Sequence, residues 1–474
     1  LGGSVARTII IYDCTQQFPI VFYICFTQSS MKKILLFGAG LSASTLIKYL
    51  LDHSSAESWH LDVVDQNLEL IKAKLAAHPN ATAHSFNALD PEQRRPYIEQ
   101  ADLVISMLPA VYHVEVAKDC IALQKHLITP SYISAEMRAL DEQAKAAGIV
   151  IMNEIGVDPG IDHMSAMRIL DHIKAIGGKL ESFKSYCGGL IAPASDTNPW
   201  HYKFTWNPRN VVLAGQGSAA CYREMNELKY LPYHRLFQRL DHIEIEGYGE
   251  FEGYVNRDSL NYLETYHIQN VPTIFRGTLR RPPYCEAWDI FVQLGMTDDA
   301  YTMKGSAQLT PRQFLNAFLP FEIGVSVEEK FMKLVQHRQD LYDLFDFLEL
   351  FSDQKTFGIH DASPAVLLQT ILVEKWQLEP GDKDMIVMYH ELIYTKQNQR
   401  FAVTSSLVVE GQDERYTAMS NTVGLPVAIA AKLILNNTIR ERGVTLPVSQ
   451  EIYAPILTEL EQFGITFNEL EKQI

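Results

Sequence analysis

The stretch from about residue 33 to 153 limits the fold most. Short apolar runs alternate there with amphipathic stretches, and the first run feeds directly into Gly38-Ala39-Gly40-Leu41-Ser42-Ala43. Such alternation produces β-α units, and therefore a parallel sheet with helices on its faces. Strands are expected over 34–37, 61–65, 84–86, 103–108, 126–129 and 149–153. The clearest helix is expected over 134–147, where Met137, Leu140 and Ala144 recur at helical spacing, Ser134 can cap the start and Gly148 follows the last turn. Within the glycine run, Gly38 permits a tight turn and Gly40 lets a ligand approach the backbone. Ala43 stands where a third small residue allows close packing of helix on strand. A buried strand before this run and a helix after it make a phosphate-binding helix N-terminus, so the fold class is α/β with a doubly wound, Rossmann-type sheet binding a dinucleotide.

The cofactor-facing residues follow from this frame. They are Gly38, Gly40, Leu41 and Ser42 of the turn, Asp65 at the end of the second strand, Asn87 and Ala88 after the third, and Leu108 after the fourth. Asp65 lies where a carboxylate accepts hydrogen bonds from the adenosine ribose hydroxyls and repels a 2′-phosphate. The electrostatics thus favour NAD over NADP, although a strand-end aspartate also serves turns for its own sake.

A chain of 474 residues exceeds one ordinary core and predicts two or three domains. A net charge of −16 argues against a polyanionic partner, since nucleic-acid binders concentrate Lys and Arg. Cys14, Cys25, Cys120, Cys187, Cys221 and Cys285 form neither a CxxC nor a His-Cys cluster, so no zinc site and no disulfide framework is expected. That composition suits a reducing, cytoplasmic setting. The apolar run over 19–26 is much shorter than the roughly 20 residues a membrane span requires, and the flanks do not suit a signal peptide. Residues 1–30 therefore read as an upstream extension, with Met31 as the start.

Domains are expected at 31–155 for dinucleotide binding, at 156–285 and about 386–419 for an α/β unit, and at 286–385 for a mostly helical unit. The segment from about 420 to 474 is expected to return to the first. Ligands of a doubly wound sheet lie beyond the carboxyl ends of its strands, which gives priority to Leu108, Pro109, Ser131, Tyr132, Val157, Asp158 and Pro159. Each has a plainer use as well: the prolines stop strands, Tyr132 fits a core aromatic, and Asp158 fits a helix cap.

Longer motifs carry more. Ser131-Tyr-Ile-Ser134, the string Met152-Asn-Glu-Ile-Gly-Val-Asp-Pro-Gly-Ile-Asp-His163, Ser185-Tyr-Cys-Gly-Gly189, Tyr202-Lys-Phe204 with Trp206, Asn256-Arg-Asp-Ser259, Arg276-Gly-Thr-Leu-Arg280 and Thr422-Val-Gly-Leu-Pro-Val-Ala-Ile429 closely resemble saccharopine dehydrogenase of the glutamate-forming kind, from Met31 nearly to the C-terminus. The resemblance implies an NAD- or NADP-dependent oxidoreductase of lysine metabolism. Its substrates would be saccharopine, or glutamate with 2-aminoadipate 6-semialdehyde, joined through an imine. It implies a variant Rossmann domain, a mixed α/β substrate domain that also dimerises, and a helical domain. It places Ser131, Tyr132, Val157, Asp158, Pro159 and Asn207 against cofactor or substrate, Arg257, Thr278, Leu279 and Arg280 against saccharopine, and Cys187 in the site. Fungal members carry arginine near the end of the second strand, where this chain has Asp65-Gln66-Asn67, and relatives often have serine where Asn207 stands.

The chemistry of saccharopine, with three carboxylates and two amino groups, asks for charges of both signs. Arg257 and Arg280 suit carboxylates through the planar guanidinium fork, with Arg281 a third candidate, and Asp158 suits a substrate ammonium. Cys187 reads as a polar contact, not a nucleophile, and equally as a buried inert thiol. The proton donor is open between solvent, the substrate amine and a side chain such as Tyr132. Two other readings stand beside this one: a carboxynorspermidine-type dehydrogenase, whose product needs fewer arginines, and a noncatalytic dinucleotide-binding regulator.

Overall fold

The computed structural model describes residues 31–474 together with two upstream strands, β1 (Ala6–Ile11) and β2 (Ile20–Cys25), that pair antiparallel with each other. The expectation about residues 1–30 otherwise lies outside the described residues.

Six strands of the first half, β3 (Lys32–Phe37), β4 (Trp59–Val64), β5 (Ala81–His84), β6 (Leu103–Ser106), β7 (His126–Ile128) and β8 (Val150–Met152), form a parallel sheet. Its order is β5-β4-β3-β6-β7-β8, so the reversal at β3 and β6 makes the switch-point crevice of a Rossmann fold. A seventh strand, β17 (Gly443–Thr445), extends the sheet parallel to β8. Apolar residues on both faces of β3 and β6 bury the middle of the sheet, as parallel strands under two helical layers require.

Two local expectations change. The third strand lies earlier than expected, at Ala81–His84, because it takes its register from Leu61–Val64, while Phe86 leaves the sheet to stack on Tyr97 with 4.6 Å between ring centres. The helix over 134–147 breaks into Ala135–Arg138 and Asp141–Ala146. Ser134 does cap it, accepting from Met137 N–H. The break frees Asp141 to accept the N–H of Val444 at 2.9 Å, which anchors β17 to the sheet.

The second sheet is mixed. Strands β9 (Lys179–Ile191), β10 (Ala220–Glu224), β11 (Glu227–Leu231), β12 (Leu240–Ile245), β13 (Gly249–Val255), β14 (Thr273–Arg280), β15 (Asp384–Lys396), β16 (Gln399–Glu410) and β18 (Asn468–Gln473) run β11-β10-β14-β9-β15-β16-β18, with β12 and β13 attached through β14. Only β14 and β9 are parallel, and every other pairing is antiparallel. The terminal strand β18 thus joins this sheet, although β17 just before it joins the first.

Between β14 and β15 the chain is helical: Tyr284–Leu294, Pro311–Asn316, Val327–Leu334, Gln339–Phe347 and Pro364–Trp376. The unit expected to be mostly helical, 286–385, is thus helical. These helices close over an aromatic core of Trp200, Trp288, Phe291, Phe331, Phe345 and Trp376.

The helix Ala418–Leu435 ties the two sheets together. Thr417 caps it, and the buried Asp384 of β15 accepts the N–H groups of both Ala418 and Met419. This helix is long and apolar enough to cross a membrane, but 72% of it is buried inside the protein. Gly424 explains its approach: a Cβ there would sit 2.8 Å from the backbone nitrogen of Leu46, so only glycine lets this helix rest on the helix that leaves the glycine turn.

Candidate active site

The glycine turn is built as a dinucleotide cradle. Gly38 has φ +94°, and a Cβ there would press on the Met107 carbonyl at 3.0 Å. Gly40 has nothing within 4 Å of where a Cβ would stand, so its backbone is open to a ligand. Leu41 is exposed, and a 3-10 turn, Leu41–Ala43, precedes the helix Ser44–Glu57. Asp65 reaches back to this turn, accepting the Ala39 N–H on Oδ2 at 2.8 Å and the Asn67 N–H on Oδ1 at 3.0 Å. Lys74, which sequence reasoning missed, flanks the turn from the other side. Its buried ammonium donates to the Gly40 carbonyl at 2.6 Å and to Ser44 Oγ at 2.8 Å, and burial, then the Arg415 charge, lowers its pKa to about 8. Asn87 is exposed and Ala88 buried beyond β5, and Leu108 is half-buried beyond β6. These residues fit a nicotinamide dinucleotide, which supplies hydride chemistry when bound.

At the other end of the crevice, His113 was also missed. It bonds Ser106 Oγ through Nδ1 at 2.9 Å, and Ser131 Oγ and Thr129 Oγ1 through Nε2 at 2.8 and 2.9 Å. Burial lowers its pKa to about 4, so a neutral imidazole fixes Ser131.

Tyr132 follows. Its ring is 39% exposed at the crevice, while its hydroxyl turns inward and donates to Asp158 Oδ1 at 2.8 Å. Burial, and then the Asp158 charge, pushes the phenol well above its ordinary range, so it stays protonated.

Asp158 is not a free receptor. The same Oδ1 receives Arg276 Nη2 at 2.8 Å, and that nitrogen also pairs with the fully buried Asp162. Asp162 in turn accepts the Gly160 N–H, and no side chain caps the helix Ile161–Ala175 that follows, so Asp158 does not serve as its cap. The loop is tight, since Gly156 N–H bonds the Pro159 carbonyl at 2.9 Å and Gly160, at φ +147°, has the Gly156 backbone where a Cβ would go. Val157 and Pro159 are buried within it. Behind stand Glu154 and His163, joined at 2.7 Å, with Tyr266 bonded to the other imidazole nitrogen at 2.8 Å. Burial opposes charge on His163, yet Asp162 and Glu154 outweigh it and hold the imidazole above its usual pKa. Burial likewise opposes charge on Glu154, and His163 and the Ile133 N–H hold its carboxyl below the usual range. Three carboxylates thus face two cations, Arg276 and His163, and the cluster keeps a negative charge.

The other expected residues lie on or just beyond β13 and β14, except Cys187 on β9 and Asn207 before the helix Pro208–Val212. Arg257 is exposed, with φ +49°, and its guanidinium carbon lies 5.8 Å from the Tyr132 ring centre. Arg280 is 4% exposed, set among the rings of Tyr202 at 5.0 Å, Tyr284 at 5.2 Å and Tyr254 at 6.0 Å. It donates to the Leu279 carbonyl, and its Nε has no partner among the described residues. It forms no ion pair there, so a carboxylate fits it. Thr278 is half-buried and Leu279 is fully buried in the core. Arg281 is already used, donating to the Tyr248 carbonyl at 3.0 Å over the Phe251 ring. Cys187 pairs with Thr278 across β9 and β14, and burial, then Asp158, raises its thiol well above the ordinary range, which makes it no nucleophile. Asn207 caps the short helix Pro208–Val212 and is exposed.

Arg276 lay unremarked within the run ending at Arg280, and Asp162, Glu154 and His163 within the string ending at His163. Their spacing offered no sign that they meet. Among the described residues no cluster of His, Cys, Asp or Glu could hold a metal.

Comparison with known proteins agrees with this geometry. The sequence profile of the "Saccharopine dehydrogenase NADP binding domain" matches residues 34–152, and that of the "Saccharopine dehydrogenase C-terminal domain" matches residues 156–465. The saccharopine dehydrogenase [NADP(+), L-glutamate-forming] of Pyricularia oryzae is 32% identical over 92% of this chain and 98% of its own. Alpha-aminoadipic semialdehyde synthase, mitochondrial, of Bos taurus is 33% identical over 93% of this chain but 48% of its own. The solved structure of apo histidine-tagged saccharopine dehydrogenase (L-Glu forming) from Saccharomyces cerevisiae superposes with a TM-score of 0.85, at 33% identity, over 93% of this chain and all of that one. With a dinucleotide cradle at one end of the crevice and a carboxylate-rich cluster with unpaired arginines at the other, and with both halves matched in order, the chain belongs to the saccharopine dehydrogenase family.

Proposed function

We propose that this chain interconverts saccharopine with glutamate plus 2-aminoadipate 6-semialdehyde, by hydride transfer between a nicotinamide dinucleotide and the carbon of the C–N bond made or broken. The observation that carries this reading is the negatively charged cluster of Asp158, Asp162, Glu154, Arg276 and His163 at the carboxyl end of β8, with Tyr132 at its open side. In the oxidative direction the substrate ammonium loses its proton so that the nitrogen lone pair can form the imine as hydride leaves. The Tyr132 oxygen accepts that N–H while its own proton moves to Asp158, along the 2.8 Å hydrogen bond. Hydride departure then leaves the positive charge on the imine nitrogen, beside a cluster that has taken up the released proton at Asp158. Water then adds to the carbon and glutamate leaves. Arg257 and Arg280 hold substrate carboxylates, and the aromatic walls of Arg280 orient its fork and exclude water.

Ser131, Val157, Pro159 and Asn207 border the nicotinamide end, and Gly38, Gly40, Leu41, Ser42, Asn87, Ala88 and Leu108 the rest of the cofactor. Asp65 directs the choice toward NAD, since its carboxylate stands against the turn where a 2′-phosphate would add charge. The Pyricularia oryzae relative carries NADP(+) in its name, so the ratio of kcat/KM for NAD and NADP is the direct test, and a higher value with NADP refutes the preference. A homodimer is the proposed assembly, supported by exposed Leu228 and Tyr230 on the edge strand β11, and light scattering reads it. The proposed compartment is the cytoplasm, to be read by cell fractionation.

Purified protein should give a saccharopine-dependent rise in nicotinamide absorbance, and carboxynorspermidine should not replace saccharopine. Full activity in Arg280→Ala would overturn the substrate assignment.

A further inference from the structure

Glu154 occupies a place that a glutamate has reason to avoid. Its φ of +56° is in the left-handed region, which is unfavourable for a residue with a Cβ and persists where the surroundings hold it. Every bond it makes explains the hold. Its backbone N–H donates to the Ser131 carbonyl at 3.1 Å, and its Oε1 accepts the Ile133 N–H at 2.9 Å. The two peptide groups that flank Tyr132 are therefore both bound by one residue. Its Oε2 meets His163 Nε2 at 2.7 Å, and His163 Nδ1 meets the Tyr266 hydroxyl at 2.8 Å, so the carboxylate is itself fixed from the second unit. Glu154 also shares its loop with Asp158, the acceptor of the Tyr132 hydroxyl.

We propose that Glu154 is a positioning residue for Tyr132: it locks the loop carrying the phenol to the loop carrying Asp158, so that the hydroxyl meets the reacting nitrogen and the Asp158 oxygen together. This rests on the reading of Tyr132 and Asp158 as the proton path. The residue touches neither substrate nor cofactor, and it acts through peptide groups on both sides of the phenol. Glutamine keeps an acceptor for the Ile133 N–H but cannot form the ion pair with His163, so Glu154→Gln loosens the clamp without removing it. A displacement of the phenol by a fraction of an ångström to 1 Å should cost about tenfold to a hundredfold in kcat.

The test is a double-mutant cycle of Glu154→Gln and Tyr132→Phe on the full chain. It is read by kcat, by KM for saccharopine, and by dinucleotide binding to the apoprotein from nicotinamide fluorescence. The expected result is a fall in kcat for Glu154→Gln, with dinucleotide Kd changed less than about threefold, and no further fall when the substitution is made in Tyr132→Phe. Equal losses in both backgrounds would overturn the proposal and leave the role of Tyr132 standing. Wild-type kcat in Tyr132→Phe alone would overturn the proton path and the proposal together. Should Glu154→Gln fail to fold, Tyr266→Phe loosens the far end of the same chain, and its smaller loss of kcat must likewise vanish in the Tyr132→Phe background.

Discussion

Replacing Arg276 by methionine tests the electrostatic reasoning most directly. The guanidinium is 7% exposed and serves both Asp158, 14% exposed, and Asp162, which is not exposed at all. Methionine fills most of the volume, so little of the effect comes from a cavity. What remains is two neighbouring carboxylates, one fully desolvated, without their shared cation. Breaking a buried pair by removing one partner costs about 3–5 kcal/mol, because the charge left behind has neither water nor a counter-ion. A second route softens this: one carboxylate takes up a proton, and its folded pKa rises above its unfolded value. The sign of the pH dependence follows. Stability of Arg276→Met is retained below the ordinary carboxylate pKa and is lost as pH rises through the elevated folded pKa. The variant should therefore lie closest to wild type near pH 4.5–5 and furthest from it near pH 7.5, read as Tm by circular dichroism across that range. Adding Asp162→Asn to Arg276→Met should restore much of the loss at pH 7.5, since it removes the most buried uncompensated charge. A loss under about 1 kcal/mol at pH 7.5, or a double variant no more stable than Arg276→Met, would refute the argument.

Three further outcomes follow from the same structure. Asp158→Asn should lower kcat about a hundredfold or more while dinucleotide binding, measured by fluorescence, changes little, because the amide cannot take the Tyr132 proton. Gly424→Val should lower Tm and weaken dinucleotide binding together, as the side chain would push against the Leu46 backbone and lift the helix Ala418–Leu435 from the helix of the glycine turn; unchanged values of both would exclude that contact. His113 has a folded pKa of about 4 against an ordinary value near 6.5, so its neutral form contributes stability that is full above pH 6.5 and is lost as pH falls through that window. The loss should approach about 3 kcal/mol at pH 4 in urea unfolding, and His113→Asn should flatten that part of the pH profile.

The parallel sheet was legible in the sequence because its causes are local. Buried strands such as Ile34 to Phe37 are unbroken apolar runs, and Gly38 and Gly40 mark the turn by residue type alone. The misplaced third strand and the broken helix show the limit of that reasoning. The register of Ala81–His84 is set by pairing with β4, and the break before Asp141 serves a hydrogen bond to Val444, about three hundred residues later. Propensity carries no information about either partner.

The candidate site divides along the same line. Tyr132, Asp158, Arg257 and Arg280 could be singled out because each stands in a distinctive run, but the charge state of the site depends on contacts between runs. Asp158 read alone is an anion waiting for a substrate ammonium. With Arg276 beside it, and Asp162, Glu154 and His163 behind, it belongs to a shared network in which three carboxyl groups outnumber two basic side chains. Arg276 comes from β14 of the second sheet and Asp158 from the loop after β8 of the first, so the network exists only when the two sheets are docked. The helix Ala418–Leu435, held at its start by Asp384 of β15 and packed through Gly424 on the helix of the glycine turn, is the element that spans both. A substitution in that helix should therefore alter substrate binding and dinucleotide binding together, whereas one confined to either cluster should separate them.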